Sequence, residues 1–358
     1  MLEARAALKN VPAYRPPLAG RDGLRLDFNE STIGCSPRVL ACLRSLDMET
    51  LARYPEREPA ERQVAGFLGL DAAQVLLTNG VDEAIHLVCC AYLDPGDEAV
   101  IVEPTFAMYA IFAQAQGASV VRVLSGEDFI FPLSELLARI SPRTKLIAVA
   151  NPNNPTGSAV DSAVLLQIAH AAPGAAILVD EAYFEFHGET ILNSLAWPEN
   201  LFVARTFSKA YGLAGLRIGL LAGAEHQMAS VRRATSPYNV NAVALAALPE
   251  ALKDRDFVER YAAEVKAGRA LLEQELRDLG LRYWKSRANF VLARIGPTHA
   301  EFVRALRAHG ILVRDRSSDP GCEGYVRLTV GSLEHTQMLI GALREVVAEL
   351  GLRREVRV

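Results

Sequence analysis

Between Arg205 and Gly219 the chain reads RTFSKAYGLAGLRIG. The residues that lead into this stretch, Leu201 to Thr206, form a short apolar run of the kind found in strands buried on both faces. Lys209 follows with hydroxyl side chains one and three positions before it, a glycine-rich turn after it and Arg217 eight positions later. This spacing indicates an amine presented to an aldehyde, beside groups that hold a phosphate. A solvated loop lysine would explain none of it.

Strand-like and helix-like segments alternate on both sides of Lys209. Several apolar runs are continuous, and turn signals such as Asp94-Pro-Gly96 separate them. The predicted elements are strands at Val75–Thr78, Ala99–Val102, Val120–Val123, Lys145–Ala150, Ala176–Val179, Leu201–Ala204 and Ile218–Leu221, and a helix at Asp82–Tyr92. This order predicts an α/β fold, a three-layer large domain with a mostly parallel sheet.

The pattern changes after residue 250, where long charged amphipathic segments begin. Helices are predicted at Asp254–Leu279 and Thr298–Ala308, and strands at Asn289–Arg294, Ile311–Arg314 and Tyr325–Val330. This arrangement is typical of a smaller α+β domain. We expect a large domain at 46–255 and a small C-terminal domain at 256–358.

The N-terminal segment, 1–45, is too short to fold by itself. It contains two proline-rich turns and one predicted strand, Leu24–Phe28. We expect it to pack on the small domain.

Composition favours a protein that acts on small molecules. The 358 residues include 38 basic and 42 acidic side chains, and half of the residues are apolar. There is no basic block for nucleic acid or an anionic membrane, and no apolar run of the roughly 18 residues that a membrane span needs. The five cysteines and seven histidines lack metal-ligand spacing. We expect a cytoplasmic protein with no metal site.

Polar residues follow several predicted strands, at the edge where open α/β sheets bind ligands. Asp180 ends one strand, and a carboxylate buried there needs a cation such as a protonated pyridine nitrogen. Tyr183, three residues later, could reach another edge of the same ring. A helix-capping aspartate beside a core tyrosine is the simpler alternative for this pair.

Three further turns have the same placement. Asn154 lies in the turn NPNNPTG at 151–157 and could donate its amide to a phenolate-like oxygen. The backbone N–H groups of Val81 and Asp82 open a helix after a glycine turn, where a phosphate binds well. Phe106 could stack on a planar ring, although an ordinary core position explains it equally well.

Together these groups match the needs of pyridoxal 5′-phosphate, whose ring acts as an electron sink. The motifs resemble those of the fold-type I aminotransferases over most of the chain. The resemblance implies that Lys209 condenses with the cofactor aldehyde and then moves a proton, while Asp180 keeps the ring nitrogen protonated. It implies that Asn154 and Tyr183 hold the ring oxygen. The phosphate would be bound by Thr206, Ser208, Arg217 and the amides at Val81 and Asp82.

Other strings are similar to the histidinol-phosphate aminotransferase branch of that family, among them Arg53-Tyr-Pro-Glu56, Asn29-Glu30, Ser236-Pro-Tyr-Asn-Val-Asn241 and Tyr325-Val-Arg-Leu-Thr-Val-Gly331. The resemblance implies a homodimer in which Tyr54 reaches the partner's cofactor phosphate. It implies that Arg327 binds an acidic group of the substrate. Side-chain recognition is expected at Tyr14, Asn29, Asn239 and Arg314.

The implied reaction is transamination between L-histidinol phosphate and 2-oxoglutarate, giving imidazole acetol phosphate and L-glutamate. The residues leave two other enzymes open, an aromatic amino-acid aminotransferase and a threonine-phosphate decarboxylase-like enzyme, because an arginine fork suits a carboxylate as well as a phosphate. Val81 and Phe106 depart from the serine and tyrosine that are commoner in relatives. A cofactor-sensing regulator would need a DNA-binding module, for which the chain shows no helix-turn-helix candidate.

Overall fold

The computed structural model describes residues 2–9, 11–16, 20–193 and 197–352. Pro17, in one of the N-terminal proline-rich turns, lies outside the described residues. The same holds for residue 1 of the predicted N-terminal segment and for residues 353–358 of the predicted small domain. The strands are β1 Leu24–Arg25, β2 Val75–Thr78, β3 Glu98–Glu103, β4 Ser119–Leu124, β5 Thr144–Ala150, β6 Ala176–Asp180, β7 Leu201–Thr206, β8 Gly219–Gly223, β9 Arg282–Trp284, β10 Phe290–Arg294, β11 Ile311–Leu312, β12 Arg314–Asp315 and β13 Tyr325–Thr329.

Helices connect and cover these strands. They are α1 Pro37–Arg44, α2 Met48–Ala52, α3 Glu58–Leu68, α4 Gly80–Tyr92, α5 Met108–Gln116, α6 Leu133–Ala138, α7 Ser162–Ala171, α8 Phe184–His187, α9 Glu225–Ala234, α10 Ala242–Lys253, α11 Arg255–Asp278, α12 His299–Ala308 and α13 Leu333–Glu349. Among the described residues none of these helices has the length and apolar character to cross a membrane.

The large sheet has seven strands in the order β2-β8-β7-β6-β5-β3-β4. Strands β3 to β7 run parallel to one another. Strand β8 is antiparallel to both of its neighbours, β7 and β2. The predicted α/β class with a mostly parallel sheet is confirmed. Because parallel strands end at the same edge, the turns that follow β5, β6 and β7 lie side by side.

Strand residues alternate between two apolar cores, one on each face of this sheet. In β6, Ile177 and Val179 belong to the core that includes α7 and α10, whereas Leu178 belongs to the core that includes α4 and α5. In β7, Val203 and Phe202 divide in the same way. A strand whose two faces are both covered reads as a continuous apolar run, which is why the runs in the sequence do not alternate.

The C-terminal part forms a second, antiparallel sheet in the order β12-β13-β10-β9. The strand predicted over Ile311–Arg314 is divided at Val313: β11 pairs with β1, and β12 pairs with β13. The single-strand prediction was wrong because local apolar character cannot show that one segment serves two sheets.

The N-terminal strand is held by this C-terminal part. Leu24 N–H donates to the Gly310 carbonyl at 2.8 Å, and Leu26 N–H donates to the Leu312 carbonyl at 2.9 Å. Leu26 is fully buried. The residues just after this strand, from Asp27 onward, are thereby brought to the edge of the large sheet.

Below that edge, a buried ion pair joins two neighbouring strands. The Glu181 carboxylate, directly after β6, accepts from Nε and Nη2 of Arg205 in β7 at 3.0 and 2.8 Å. It also accepts from the Thr190 hydroxyl and the Ile191 N–H. A carboxylate without exposure needs such partners because burial removes its hydration.

Replacing Arg205 with methionine should therefore destabilise the fold, because it leaves the Glu181 carboxylate buried without its cation. We expect the free energy of unfolding in urea to fall by about 3 kcal/mol. The matched control is Arg304→Met, which removes the exposed Arg304–Glu301 pair and should cost about 0.5 kcal/mol or less. Equal losses in the two variants would contradict a special role for the buried pair.

Candidate active site

A cavity of about 470 Å³ lies where the strands of the large sheet end and the small domain begins. It collects nearly every candidate residue that the sequence singled out. The predicted residues that line it are Tyr14, Asn29, Val81, Asp82, Phe106, Asn154, Asp180, Tyr183, Thr206, Ser208, Lys209, Arg217, Arg314 and Arg327. These positions are separated by up to three hundred residues in the chain, so only the fold brings them together.

Lys209 projects its amine into this cavity. Its Nζ donates to the carbonyl oxygen of Phe28 at 2.8 Å, and no carboxylate forms an ion pair with it among the described residues. Burial, and then the positive charge of Arg327, lowers the pKa of the Lys209 amine to about 8. The amine is therefore a nucleophile and proton acceptor within reach of neutral pH.

Asp180 lies at the end of β6, 5% exposed. It accepts a hydrogen bond from the Tyr109 hydroxyl at 2.6 Å and another from the Ala182 N–H at 2.9 Å. Burial raises the pKa of this carboxyl to about 6, although the two donors act in the opposite direction. Among the described residues no cation is paired with it, so the carboxylate is suited to a cationic ligand atom.

Tyr183 and Asn154 are held by residues of the N-terminal segment and of the small domain. The Tyr183 hydroxyl accepts from Asn29 Nδ2 at 2.9 Å, and Asn29 Oδ1 accepts from the Thr329 hydroxyl at 2.8 Å. Asn154 Oδ1 accepts from Arg327 Nη1 at 2.6 Å. Because its oxygen is taken, the amide group of Asn154 remains the donor available to a ligand.

The turn between β2 and α4 brings together groups that suit an anion. Gly80 has φ +76°, a backbone conformation that favours glycine, and a Cβ there would lie 2.6 Å from Arg217 Nη2. Arg217 also pairs with Asp82 at 3.1 Å. The hydroxyls of Thr206 and Ser208 lie 2.9 Å apart beside this turn. Helix N–H groups, two hydroxyls and a guanidinium together are a chemistry that binds phosphate.

Phe106 lines the cavity above the ring of Tyr109. The two ring centroids are 5.9 Å apart, with the planes nearly perpendicular at 86°. The edge-to-face contact fixes the orientation of Phe106. Its face is therefore available as a flat apolar surface.

The small-domain side of the cavity is strongly basic. Arg327 donates to the Asp27 carbonyl at 2.6 Å, but its Nε is buried with no hydrogen-bond partner among the described residues. Burial, followed by the charge of Arg316, lowers the pKa of Arg327 to about 9. Arg314 lies over the Phe28 ring at 5.3 Å. No carboxylate of the described residues pairs with it.

Two predicted residues are not part of this cavity. Tyr54 is 78% exposed and stacks on Tyr238, with ring centroids 4.3 Å apart. Asn239, expected at the substrate, instead donates to the Leu77 carbonyl at 3.0 Å and to Glu83 Oε2 at 2.7 Å. Within one chain it contacts the elements that carry the anion site. The substrate contact expected of Asn239 stays a prediction, without support from the cavity of this single chain.

The sequence also missed residues that line the cavity. Tyr109 lies three residues after Phe106, but this spacing did not predict that its hydroxyl donates to Asp180. Arg21 pairs with Asp27 and Glu30 at 2.7 and 2.9 Å, and both Arg21 and Glu30 line the cavity. A charged cluster in an N-terminal segment has no local pattern that would reveal it.

Comparisons with known proteins show the family to which the chain belongs. The family model described as aminotransferase class I and II matches residues 21–343. Histidinol-phosphate aminotransferase 1 of Nostoc sp. is 34% identical over 340 residues, which cover 94% of this chain and 95% of that protein. Histidinol-phosphate aminotransferase 2 of Pseudomonas fluorescens is 36% identical over 332 residues, 91% of this chain and 89% of that protein.

Solved structures have the same fold. The histidinol-phosphate aminotransferase of Sinorhizobium meliloti, solved in complex with pyridoxal-5′-phosphate, superimposes with a TM-score of 0.87 at 25% identity. The alignment covers 98% of this chain and 99% of that one. A putative aminotransferase of Burkholderia pseudomallei superimposes with a TM-score of 0.81 at 30% identity over 91% of this chain and 99% of that one.

The lowered pKa of Lys209 can be measured directly. In trace labelling of the ligand-free protein with acetic anhydride, only the neutral amine reacts, so labelling of Lys209 should rise with pH to a midpoint near 8. In Arg327→Met the midpoint should move upward, because one of the charges that disfavours the ammonium is gone. A midpoint at the ordinary lysine value of 10.5 would contradict the burial described for this amine.

Proposed function

We propose, since the chain belongs to the class I and II aminotransferases, that it transfers the amino group of L-histidinol phosphate to 2-oxoglutarate. The products are imidazole acetol phosphate and L-glutamate, and the reaction belongs to histidine biosynthesis. The relatives and a structural neighbour that bear the name histidinol-phosphate aminotransferase support this reaction. The observation that carries the choice of an anionic donor is that Arg314 and Arg327 have no carboxylate partner in the described part of the chain.

The protein depends on pyridoxal 5′-phosphate, and the side chains around the cavity fit this group. Asp180 is buried and lacks a cation among the described residues, as expected of a carboxylate that meets a protonated ring nitrogen. At Gly80 the absence of a side chain lets the Arg217 guanidinium approach the start of α4, where a phosphate would bind. When bound, the cofactor supplies an electrophilic aldehyde and an electron-accepting ring.

Lys209 is the proposed catalytic base. In its neutral form, Nζ would take the proton from the α-carbon of the amino donor and pass it to the aldehyde carbon of the cofactor. In the second half-reaction it would carry a proton the opposite way, from that carbon to the α-carbon of the acceptor. The lowered pKa of the amine supports this role, because it raises the fraction of the amine that is neutral near pH 7 relative to an amine at the ordinary value of 10.5. The Phe28 carbonyl, 2.8 Å away, keeps the amine directed into the cavity.

The other proposed cofactor residues act by holding and orienting. Asp180 keeps the ring nitrogen protonated, and Tyr109 holds the carboxylate in place. Tyr183 and the Asn154 amide donate to the ring oxygen, and the face of Phe106 stacks on the ring. The phosphate is bound by Thr206, Ser208, Arg217 and the N–H groups of Val81 and Asp82.

Substrate recognition is assigned to the basic side of the cavity. Arg327 and Arg314 bind the phosphate of the donor, and Arg327 binds a carboxylate of the acceptor. Asn29, fixed between Thr329 and Tyr183, closes the site from the N-terminal segment. Tyr14 lines the cavity at 45% exposure and would contact the outer part of the substrate.

We also propose a cytoplasmic homodimer in which Tyr54 reaches the cofactor phosphate of the partner subunit. Tyr54 is mostly exposed, as are Met48 and Leu51 before it. Exposed apolar side chains that lie close in sequence are typical of a contact surface. All five cysteines are free, which is common in the reducing cytoplasm.

Asp180→Asn should retain the cofactor but lose turnover, because a neutral amide cannot hold the proton on the ring nitrogen. Removal of one preorganised electrostatic group typically costs about 10²- to 10³-fold in kcat. The measurement is kcat with the cofactor at saturation, together with the cofactor content of the purified variant. Asp128→Asn, at an exposed aspartate, is the control. Full activity of Asp180→Asn would refute the assigned role.

The substrate assignment is tested by comparing kcat/KM for L-histidinol phosphate, phenylalanine and threonine phosphate, with 2-oxoglutarate as acceptor. Histidinol phosphate should exceed phenylalanine by about tenfold or more, the effect of one charge-assisted hydrogen bond. Release of CO₂ from threonine phosphate would identify the decarboxylase instead. Arg314→Met should reduce the preference for the phosphorylated donor, whereas Arg307→Met, at an exposed arginine of α12, should not.

A further inference from the structure

Asn239 lies outside the cavity, yet it contacts the elements that form the anion site. Its Nδ2 donates to the carbonyl of Leu77, in β2, and to Glu83 Oε2, in α4. Its Oδ1 accepts from Arg57 Nη1. A single carboxamide therefore connects the strand that enters the anion-binding turn with the helix that leaves it.

Glu83 is the important partner in this network. The same oxygen, Oε2, that accepts from Asn239 also accepts from the backbone N–H of Asn79 at 2.6 Å. Asn79 is the residue at the N-cap of α4. The Glu83 carboxylate thus accepts from the N–H of Asn79, and not from those of Val81 and Asp82.

The position of Glu83 at the start of α4 affects anion binding there. The first N–H groups of a helix have no partner within the helix, and a nearby carboxylate is attracted to them by the helix dipole. Glu83 belongs to the first turn of α4, so a free Glu83 side chain competes with any anion for these donors. Asp82, the other acidic residue of this turn, is held by Arg217 at 3.1 Å.

The Asn239 carboxamide is itself firmly held. Arg57 donates to it and also pairs with Glu61 through Nε at 2.8 Å. Glu61 is 3% exposed and accepts from the Leu77 N–H at 3.0 Å. The network therefore begins and ends on Leu77, which fixes the position of Asn239 relative to β2.

We propose that Asn239 is a positioning residue for the cofactor phosphate: it holds the Glu83 carboxylate on the Asn79 N–H and leaves the N–H groups of Val81 and Asp82 free. This inference rests on the proposed phosphate site at the start of α4. In this role Asn239 acts through Glu83 and does not itself contact the phosphate.

The test uses Asn239→Ala and compares binding of pyridoxal 5′-phosphate with binding of pyridoxal, which lacks the phosphate. We expect the dissociation constant for pyridoxal 5′-phosphate to rise about tenfold, the effect of releasing one hydrogen bond to a charged group. The constant for pyridoxal should not change. Both are measured by equilibrium dialysis, with the release rate from the holoenzyme as a second readout.

Two further variants separate positioning from a general loss of structure. In Asn239→Ala/Glu83→Gln the competing charge is absent, so affinity for pyridoxal 5′-phosphate should return to within about twofold of the parent value. Asn200→Ala is the matched control. Its carboxamide also donates to backbone carbonyls, those of Ala169, Ala172 and Ala175. It lies directly before β7, however, at the strand ends opposite to those that line the cavity. Its cofactor affinity should not change.

Three outcomes overturn the proposal: an unchanged affinity in Asn239→Ala, an equal loss for both ligands, or a double variant as weak as the single one. Failure of the underlying phosphate site looks different. In that case the unsubstituted protein itself binds pyridoxal 5′-phosphate no better than pyridoxal.

Discussion

A carboxylate buried at the end of a parallel strand constrains the rest of this site. Asp180 is removed from water by β5 and β7 on either side, and it is stabilised by two neutral donors without a cation among the described residues. Burial therefore raises its pKa to about 6. Only a ligand that brings positive charge makes the arrangement favourable, and a protonated pyridine nitrogen meets that need. The aldehyde that accompanies such a ring is what the lone amine of Lys209 requires.

The second constraint is the N-terminal segment between Leu24 and Glu30. It joins the small domain by pairing with β11, and it supplies contacts to the large domain from consecutive residues. The Phe28 carbonyl accepts from Lys209, the Asn29 amide donates to Tyr183, and the Asp27 carbonyl accepts from Arg327. A shift of this segment would therefore alter both the position of the Lys209 amine and that of Arg327 on the basic side of the cavity. It is through this segment that the two domains share one cavity.

Much of the large domain could be predicted because its signals are local. A strand covered on both faces needs apolar residues throughout, and polar residues directly after it can only lie at the sheet edge. Asp180, Asn154 and Lys209 each follow such a run. By contrast, the hydrogen-bond partners of Asn239 could not be predicted, because the path of its loop depends on contacts with β2 and α4. Tyr109 was missed because its hydrogen bond joins the start of α5 to the end of β6, two elements far apart in the chain.

The sequence by itself determined the order of strands and helices, the family, the cofactor and the chemistry expected of Lys209. These follow from residue types at fixed short spacings along the chain, which do not depend on how the chain folds. Only the tertiary structure decided which charges remain unpaired: Arg21 and Arg316 are neutralised by nearby carboxylates, whereas Arg314 and Arg327 are not so paired among the described residues. Pairing depends on distances of a few ångströms between residues far apart in the chain, and no local pattern encodes those distances. The basic character of the small-domain side of the cavity is therefore a property of the fold.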